Sequence, residues 1–238
     1  MSKILIVVTS VDEYQKVGYR TGLWLGELTH FFDVTEEAGH LMDIASPKGG
    51  VVPIDSESLL ISEVGEALGL HTAVLKRYED RQFMNLLRHS LALSDISHQS
   101  YDAIYLTGGH GVMFDFREEP LPALIREFYE TGKLVSAVCH GPCGLLDVKL
   151  TNGEMLLANK KATGFSWQEE IAAKRDHAVP YSLEESMKAR GADYSKAALP
   201  FGTHVVEDGN LITGQNPGSA KAVGEAVVKR LQAVKEAA

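Results

Sequence analysis

Cys139 and His140 stand side by side in LVSAVCHGPCGLL, residues 134–146 of a 238-residue chain, and put a nucleophile next to a base. The residues before them, Leu134, Val135, Ala137 and Val138, read as the end of a buried strand, and Leu145 and Leu146 beyond Gly141-Pro142 read as helical. A strand that turns sharply into a helix lifts the side chain at the turn out of the sheet and leaves free N–H groups beside it. The helix N-terminus is expected to favour thiolate over thiol. Attack on a carbonyl needs a thiolate, a nearby base or cation, and donors for the oxyanion that forms. The pattern therefore predicts a nucleophile elbow carrying sulfur.

A histidine base needs an orienting acid, and two places offer one. FSWQEEI, residues 165–171, carries adjacent Glu169 and Glu170, which by spacing alone also fit a solvated helix face. GLWLGELTHFF, residues 22–32, has Trp24, Leu28 and Phe31 at helical spacing, with Glu27 on the same stripe. A carboxylate there serves a core-edge salt bridge, the reading spacing favours, or works as an acid. In an apolar setting burial raises its pKa, so it could stay protonated and donate a hydrogen bond to sulfur. Cys143 reads as a packing residue under the elbow. The other histidines (30, 40, 71, 89, 98, 110, 177 and 204) show no metal-ligand spacing, so no metal is expected. No P-loop occurs and no G-x-G-x-x-G follows the first strand, so no cofactor is expected.

The positioning elements alternate between strand and helix. KILIVVT, residues 3–9, is a buried parallel strand by its continuous apolar character. Residues 41–45 form a second strand before the loop SPKGGVVPID. Residues 56–98 read as a largely helical insertion, with Phe83, Leu87 and Leu91 on one face. YDAIYLTGG, residues 101–109, is a strand ending in glycines that let backbone approach a ligand. A helix over 121–132 stops at Gly132, and strand pieces are expected over 153–163. A short helix follows over 184–190, and a hairpin over 204–213 turns at Asp208-Gly209. A last helix buries Ala220, Val223, Val227, Leu231 and Val234. The alternation predicts one α/β domain over residues 1–238, with a doubly wound, mostly parallel sheet and helices on both faces.

Composition narrows the function classes. Hydrophobic content of 45% and charged content of 23% suit a globular core, and a net charge of −9 argues against nucleic-acid or anionic-membrane partners. No apolar run approaches the roughly 18 residues of a spanning helix. The start, MSKILIVVTS, lacks the features of a signal peptide, and two cysteines four apart are a poor disulfide framework. A cytoplasmic location is the simplest expectation.

AVCHGPCGLL around Cys139, YLTGGHGVMFDF from Tyr105, ASPKGG from Ala45 and TGQNPGSA from Thr213 together resemble the ThiJ/PfpI superfamily of class I glutamine amidotransferase-like proteins. The insertion, GGHG and CHGP are most similar to its glyoxalase III and heat-shock chaperone branch. The resemblance runs from Lys3 to about Ala226. It implies a flavodoxin-like fold, a homodimer, Cys139 as nucleophile and Glu27 as the acid beside the sulfur. It also implies a Cys-His-Glu triad completed after T-G-F, here Thr163 to Phe165, by Glu170, with Glu169 as the fallback. The Gly109 and His140 N–H groups would form the oxyanion hole, with His110 beside them at the substrate. Cys143 departs from the alanine common at its position.

The activity this implies is glutathione-independent conversion of methylglyoxal or a similar small 2-oxoaldehyde to a 2-hydroxy acid. Rival readings are a cysteine amidase or peptidase with the same triad, and a holding chaperone, deglycase or oxidation sensor.

Overall fold

KILIV, the first apolar run, forms β1 (Lys3–Val7), in which residues 4–7 are fully buried. The computed structural model describes residues 1–60 and 73–236. After β1 come α1 (Leu25–Glu37), β2 (Leu41–Ser46), α2 (Ala73–Glu79), α3 (Arg81–Arg88), β3 (Leu91–Ala92) and β4 (Ala103–Leu106). Next are α4 (Val112–Asp115), α5 (Leu121–Glu130), β5 (Leu134–Val138), β6 (Lys161–Ala162), α6 (Trp167–Ala172) and α7 (Leu183–Ala189). The chain then forms β7 (Asp193–Tyr194), β8 (Val205–Asp208), β9 (Leu211–Gly214) and α8 (Ala220–Glu236).

Seven strands make one sheet in the order β3-β2-β1-β4-β5-β9-β8, parallel throughout except for β8 against β9. Every residue of β4, β5 and β9 is buried, so both sheet faces are covered, as expected of a doubly wound α/β fold. The chain leaves β1 toward β2 and later returns to its other side as β4. That reversal opens a crevice at the carboxyl ends of the central strands, where such folds bind ligands. The loops after β4 and β5, carrying Gly108, Gly109, His110 and Cys139, lie there.

The element types follow the sequence reading, with local corrections. Residues 56–98, expected as an insertion, are helical at α2 and α3, but Leu91 belongs to β3, a short edge strand of the main sheet, and is 43% exposed. Residues 61–72 of the expected insertion lie outside the described residues. Of residues 153–163 only Lys161–Ala162 is a strand, and it pairs with β7 in a separate two-stranded sheet. The hairpin exists, but Asp208 pairs with Leu211, so the turn is Gly209-Asn210, with Gly209 at φ 62°. Val234 is 62% exposed, because α8 outruns the sheet that buries its first three turns.

α1 is fixed on two sides. It packs on α8, and Phe31 stacks on Tyr105 of β4 with ring centroids 3.7 Å apart at 4°. The fully buried Tyr105 hydroxyl donates to the Glu27 carbonyl at 3.0 Å, tying the first turn of α1 to the sheet.

Candidate active site

Cys139 follows the last residue of β5 and adopts φ 58°, a left-handed conformation rare for a residue with a side chain. Two backbone bonds pin it there. Its N–H donates to the Gly214 carbonyl at 2.9 Å, and its carbonyl accepts from the Phe165 N–H at 2.8 Å. Gly141 enters a five-residue 3-10 helix (Gly141–Leu145) where a Cβ would sit 2.7 Å from the Thr107 carbonyl oxygen. The elbow can pass under β4 only with glycine at that position. A strained residue held by its surroundings, at the carboxyl edge of a parallel sheet, is the geometry of an activated nucleophile.

The strain turns the His140 ring back toward the sulfur, so its Nδ1 lies 3.3 Å from Cys139 Sγ. His140 Nε2 meets Glu170 Oε2 at 2.8 Å, and the other Glu170 oxygen meets His110 Nε2 at 2.7 Å. The two imidazole centroids are 4.2 Å apart, and Phe165 packs on His140 at 4.4 Å. Burial alone would raise the Glu170 pKa, but the neighbouring His140 and the hydrogen bonds from both imidazoles hold it well below the usual carboxylate range. An ionised carboxylate only accepts hydrogen bonds, so both imidazoles donate through Nε2. His140 therefore presents the Nδ1 lone pair to the thiol, as a general base must. Burial and the neighbouring His140 lower the pKa of His110, which favours its neutral form.

Glu27 sits in the first turn of α1 and is fully buried behind the sulfur. Its Oε2 accepts the Gly108 N–H at 2.6 Å, and Oε1 has no nitrogen or oxygen partner among the described residues. Burial pushes its pKa to about 8, partly offset by hydrogen bonds with Cys139 and Gly108. A pKa raised that far favours the protonated carboxyl at neutral pH, as an acid beside sulfur requires, and no salt bridge reaches Glu27 among the described residues. Gly108 makes the approach feasible, since a Cβ there would lie 2.5 Å from Glu27 Oε2 and 2.8 Å from Cys139 Cβ.

The expected resting thiolate is corrected. Burial, the largest cause, raises the Cys139 pKa well above its ordinary value. The five-residue 3-10 helix after the elbow does not outweigh the burial of Cys139, a residue only 3% exposed. The resting group is a thiol, ionised when its proton passes to His140.

The Gly109 and His140 N–H groups have no acceptor among the described residues. They flank a predominantly apolar cavity of about 500 Å³ lined by Cys139, His140, His110, Trp24, Phe165 and Phe201. Cys143 is fully buried and its Sγ contacts the Val112 carbonyl at 3.3 Å, a packing role. Among the described residues, His110, His140 and Glu170 are one group whose ligating atoms lie within 4.8 Å of one another, close enough to hold a cation. As they stand, each imidazole Nε2 is already engaged by a carboxylate oxygen. Sequence reasoning put His110 at the substrate but missed its bond to Glu170, because the two residues are 60 apart in the chain. It also offered Glu169 as a fallback partner for His140, whereas that carboxylate turns away to Ser166, Phe201, Gln215 and Asn216.

An α/β sheet with a cysteine elbow, an adjacent histidine and a buried acid in the first helix defines a class of protein. Residues 22–230 match the DJ-1/PfpI family, and the chain belongs to that family. It is similar to Glyoxalase 3 of Candida albicans, 31% identical over 96% of this chain and 98% of that protein. It is also similar to the glutathione-independent glyoxalase HSP31 of Saccharomyces cerevisiae, 29% identical over 92% of this chain and 93% of that one. The crystal structure of the rapid encystment protein of 24 kDa from Francisella tularensis matches with a TM-score of 0.89 and 34% identity, covering 96% of this chain and 98% of that one. No helix among the described residues is long and apolar enough to cross a membrane.

Proposed function

We propose that the protein is a glutathione-independent glyoxalase, converting methylglyoxal or a similar small 2-oxoaldehyde and water to the 2-hydroxy acid. The observation that carries this reading is the chain Cys139–His140–Glu170 at an apolar cavity, with Glu27 buried behind the sulfur, where burial raises its pKa. The relatives named as glyoxalases share nearly the whole chain length.

The thiol proton passes to His140 Nδ1, and the resulting imidazolium is held by Glu170. The sulfur bonds to the aldehyde carbon C1. The oxygen that gains charge is received by the Gly109 and His140 N–H groups and is then protonated, giving a hemithioacetal. A base, His140 or Glu27, takes the C1 proton to form an enediol, and a proton returns at C2. Glu27 is suited to one side of this exchange, because its pKa of about 8 lies near the operating pH. The product is a thioester of the 2-hydroxy acid. Water attacks it, the C–S bond breaks, and the thiol is restored. C1 is oxidised and C2 reduced within one molecule, so the balance requires no external oxidant or cofactor.

A homodimer in the cytoplasm, with residues 1–238 as one domain and residues 56–98 as an insertion, belongs to the same reading. The test is methylglyoxal without glutathione: the wild type should form lactate and Cys139→Ala should form none. Wild-type turnover in that variant would exclude the mechanism.

A further inference from the structure

Glu169 has no part in the chemistry above, yet it is fully buried and accepts five hydrogen bonds. No Lys, Arg or His pairs with it among the described residues. A buried carboxylate without a cation is retained only where donors surround it. Its Oε2 takes the Ser166 N–H at 2.9 Å, the Ser166 hydroxyl at 2.7 Å and the Gln215 amide at 2.9 Å. Its Oε1 takes the Phe201 N–H at 2.7 Å and the Asn216 amide at 2.9 Å.

A capping box at the start of α6 accounts for the two bonds from Ser166. The other three come from residues 32, 46 and 47 positions away, and all belong to stretches that form the cavity. Phe165, one residue before the cap, lines the cavity, as do Phe201, Asn216, Pro217 and Gly218. Phe201 adopts φ 61°, a conformation an aromatic residue seldom takes, and in it the N–H reaches Glu169. The Phe201 and Phe165 rings meet at 6.2 Å. Asn216 extends the network by donating to the Gly202 carbonyl at 2.8 Å, and Gln215 does so by accepting the Ala197 N–H at 2.7 Å.

We propose that Glu169 is a positioning residue for substrate binding, drawing the 165–166, 201–202 and 215–218 stretches into one rigid wall of the cavity. Neighbouring helix positions point about 100° apart, so one dipeptide serves two tasks. Glu170 aims the base, and Glu169 shapes the space the substrate enters. The inference needs the cavity to receive a ligand, and only its kinetic arm rests on the glyoxalase reading.

The test uses Glu169→Gln and Gln215→Ala in the full chain. Glutamine in place of Glu169 keeps the size but turns an NH2 toward groups that are themselves donors. Gln215→Ala removes one donor and leaves the carboxylate. Two readouts are taken. One is kcat and KM for methylglyoxal. The other is the rate of Cys139 alkylation by N-benzylmaleimide, which must occupy the apolar cavity, relative to iodoacetamide, which need not.

Glu169→Gln should raise KM about tenfold with kcat within about threefold of wild type, and lower the alkylation ratio about tenfold. Gln215→Ala should move both the same way by a smaller factor. A ratio and KM within about twofold of wild type would overturn the proposal, and so would a loss confined to kcat. If Glu169→Gln does not fold, the same readouts on Gln215→Ala decide. If the wild type does not turn over methylglyoxal, the glyoxalase reading fails while the alkylation ratio still tests the wall.

Discussion

Replacing Glu170 by Gln tests the catalytic arrangement most sharply, because one carboxylate serves two imidazoles. Its two oxygens lie 2.8 Å from His140 Nε2 and 2.7 Å from His110 Nε2, and the side chains of His140 and Glu170 are 1% and 4% exposed. Ionising Cys139 makes His140 an imidazolium. Two unit charges about 5 Å apart, centre to centre, at an effective dielectric of about 20 attract by about 3 kcal/mol. Losing that stabilisation in the transition state lowers kcat about 100-fold.

A second loss comes from geometry. The amide offers one oxygen and one NH2 to two rings that both need an acceptor, so one ring is served wrongly. When the NH2 faces His140, that ring must accept at Nε2 and carry its proton on Nδ1, where it cannot take the thiol proton. This adds up to about another tenfold, for a total drop of about 100- to 1000-fold in kcat, with KM within about threefold. The assay is lactate formation from methylglyoxal under saturating substrate. Adding His110→Ala removes the competing ring and frees the amide oxygen for His140, so the double variant should be several-fold faster than Glu170→Gln alone. Retention of more than about a tenth of wild-type kcat in Glu170→Gln would refute the assignment.

Two further expectations follow from buried groups. The Glu27 carboxyl is raised to about 8 and that of Asp115 to about 7, in both cases chiefly by burial. Each holds a proton in the folded chain that the unfolded chain releases near its ordinary pKa. Stability should therefore fall as pH rises from 6.5 to 8, above the range where the histidines titrate, by up to about 1.4 kcal/mol per pH unit for each group below its folded pKa. Urea midpoints at pH 6.5 and 8 measure this, and Glu27→Gln or Asp115→Asn should flatten the slope; a midpoint that climbs over that range contradicts it. Gly108→Ala would set a methyl 2.5 Å from Glu27 Oε2 and 2.8 Å from Cys139 Cβ. It should cost about 1–3 kcal/mol in a denaturation curve and displace the acid, with lactate formation reduced at least about 100-fold; near-normal activity would show that Glu27 is dispensable.

The elbow was legible because its signals are local: a buried strand, Cys139-His140 and Gly141-Pro142 occupy one short stretch. Glu27 could be placed on the apolar stripe of α1 by spacing, but not beside sulfur, since that depends on β4 passing under α1. The acids at 169 and 170 read as a solvated face because spacing does not reveal that both sides of α6 are covered. One side faces the imidazoles, and the other meets the loops at 201 and 215–216. Glu170 was singled out by the T-G-F resemblance rather than by its own surroundings. The thiolate expectation failed for a related reason. A helix start can be read from sequence, whereas the depth of a sulfur and the acids around it come from distant residues, Glu27 lying 112 positions before Cys139 and Glu169 and Glu170 lying 30 and 31 after it.

The docking of α1 on α8 makes the site a product of long-range packing. Glu27 lies 112 positions before Cys139 and Asn216 lies 77 after it, so the acid behind the sulfur and the wall of the cavity come from opposite ends of the described chain. A substitution in the α1–α8 contact can therefore disturb the chemistry without touching any residue that lines the cavity.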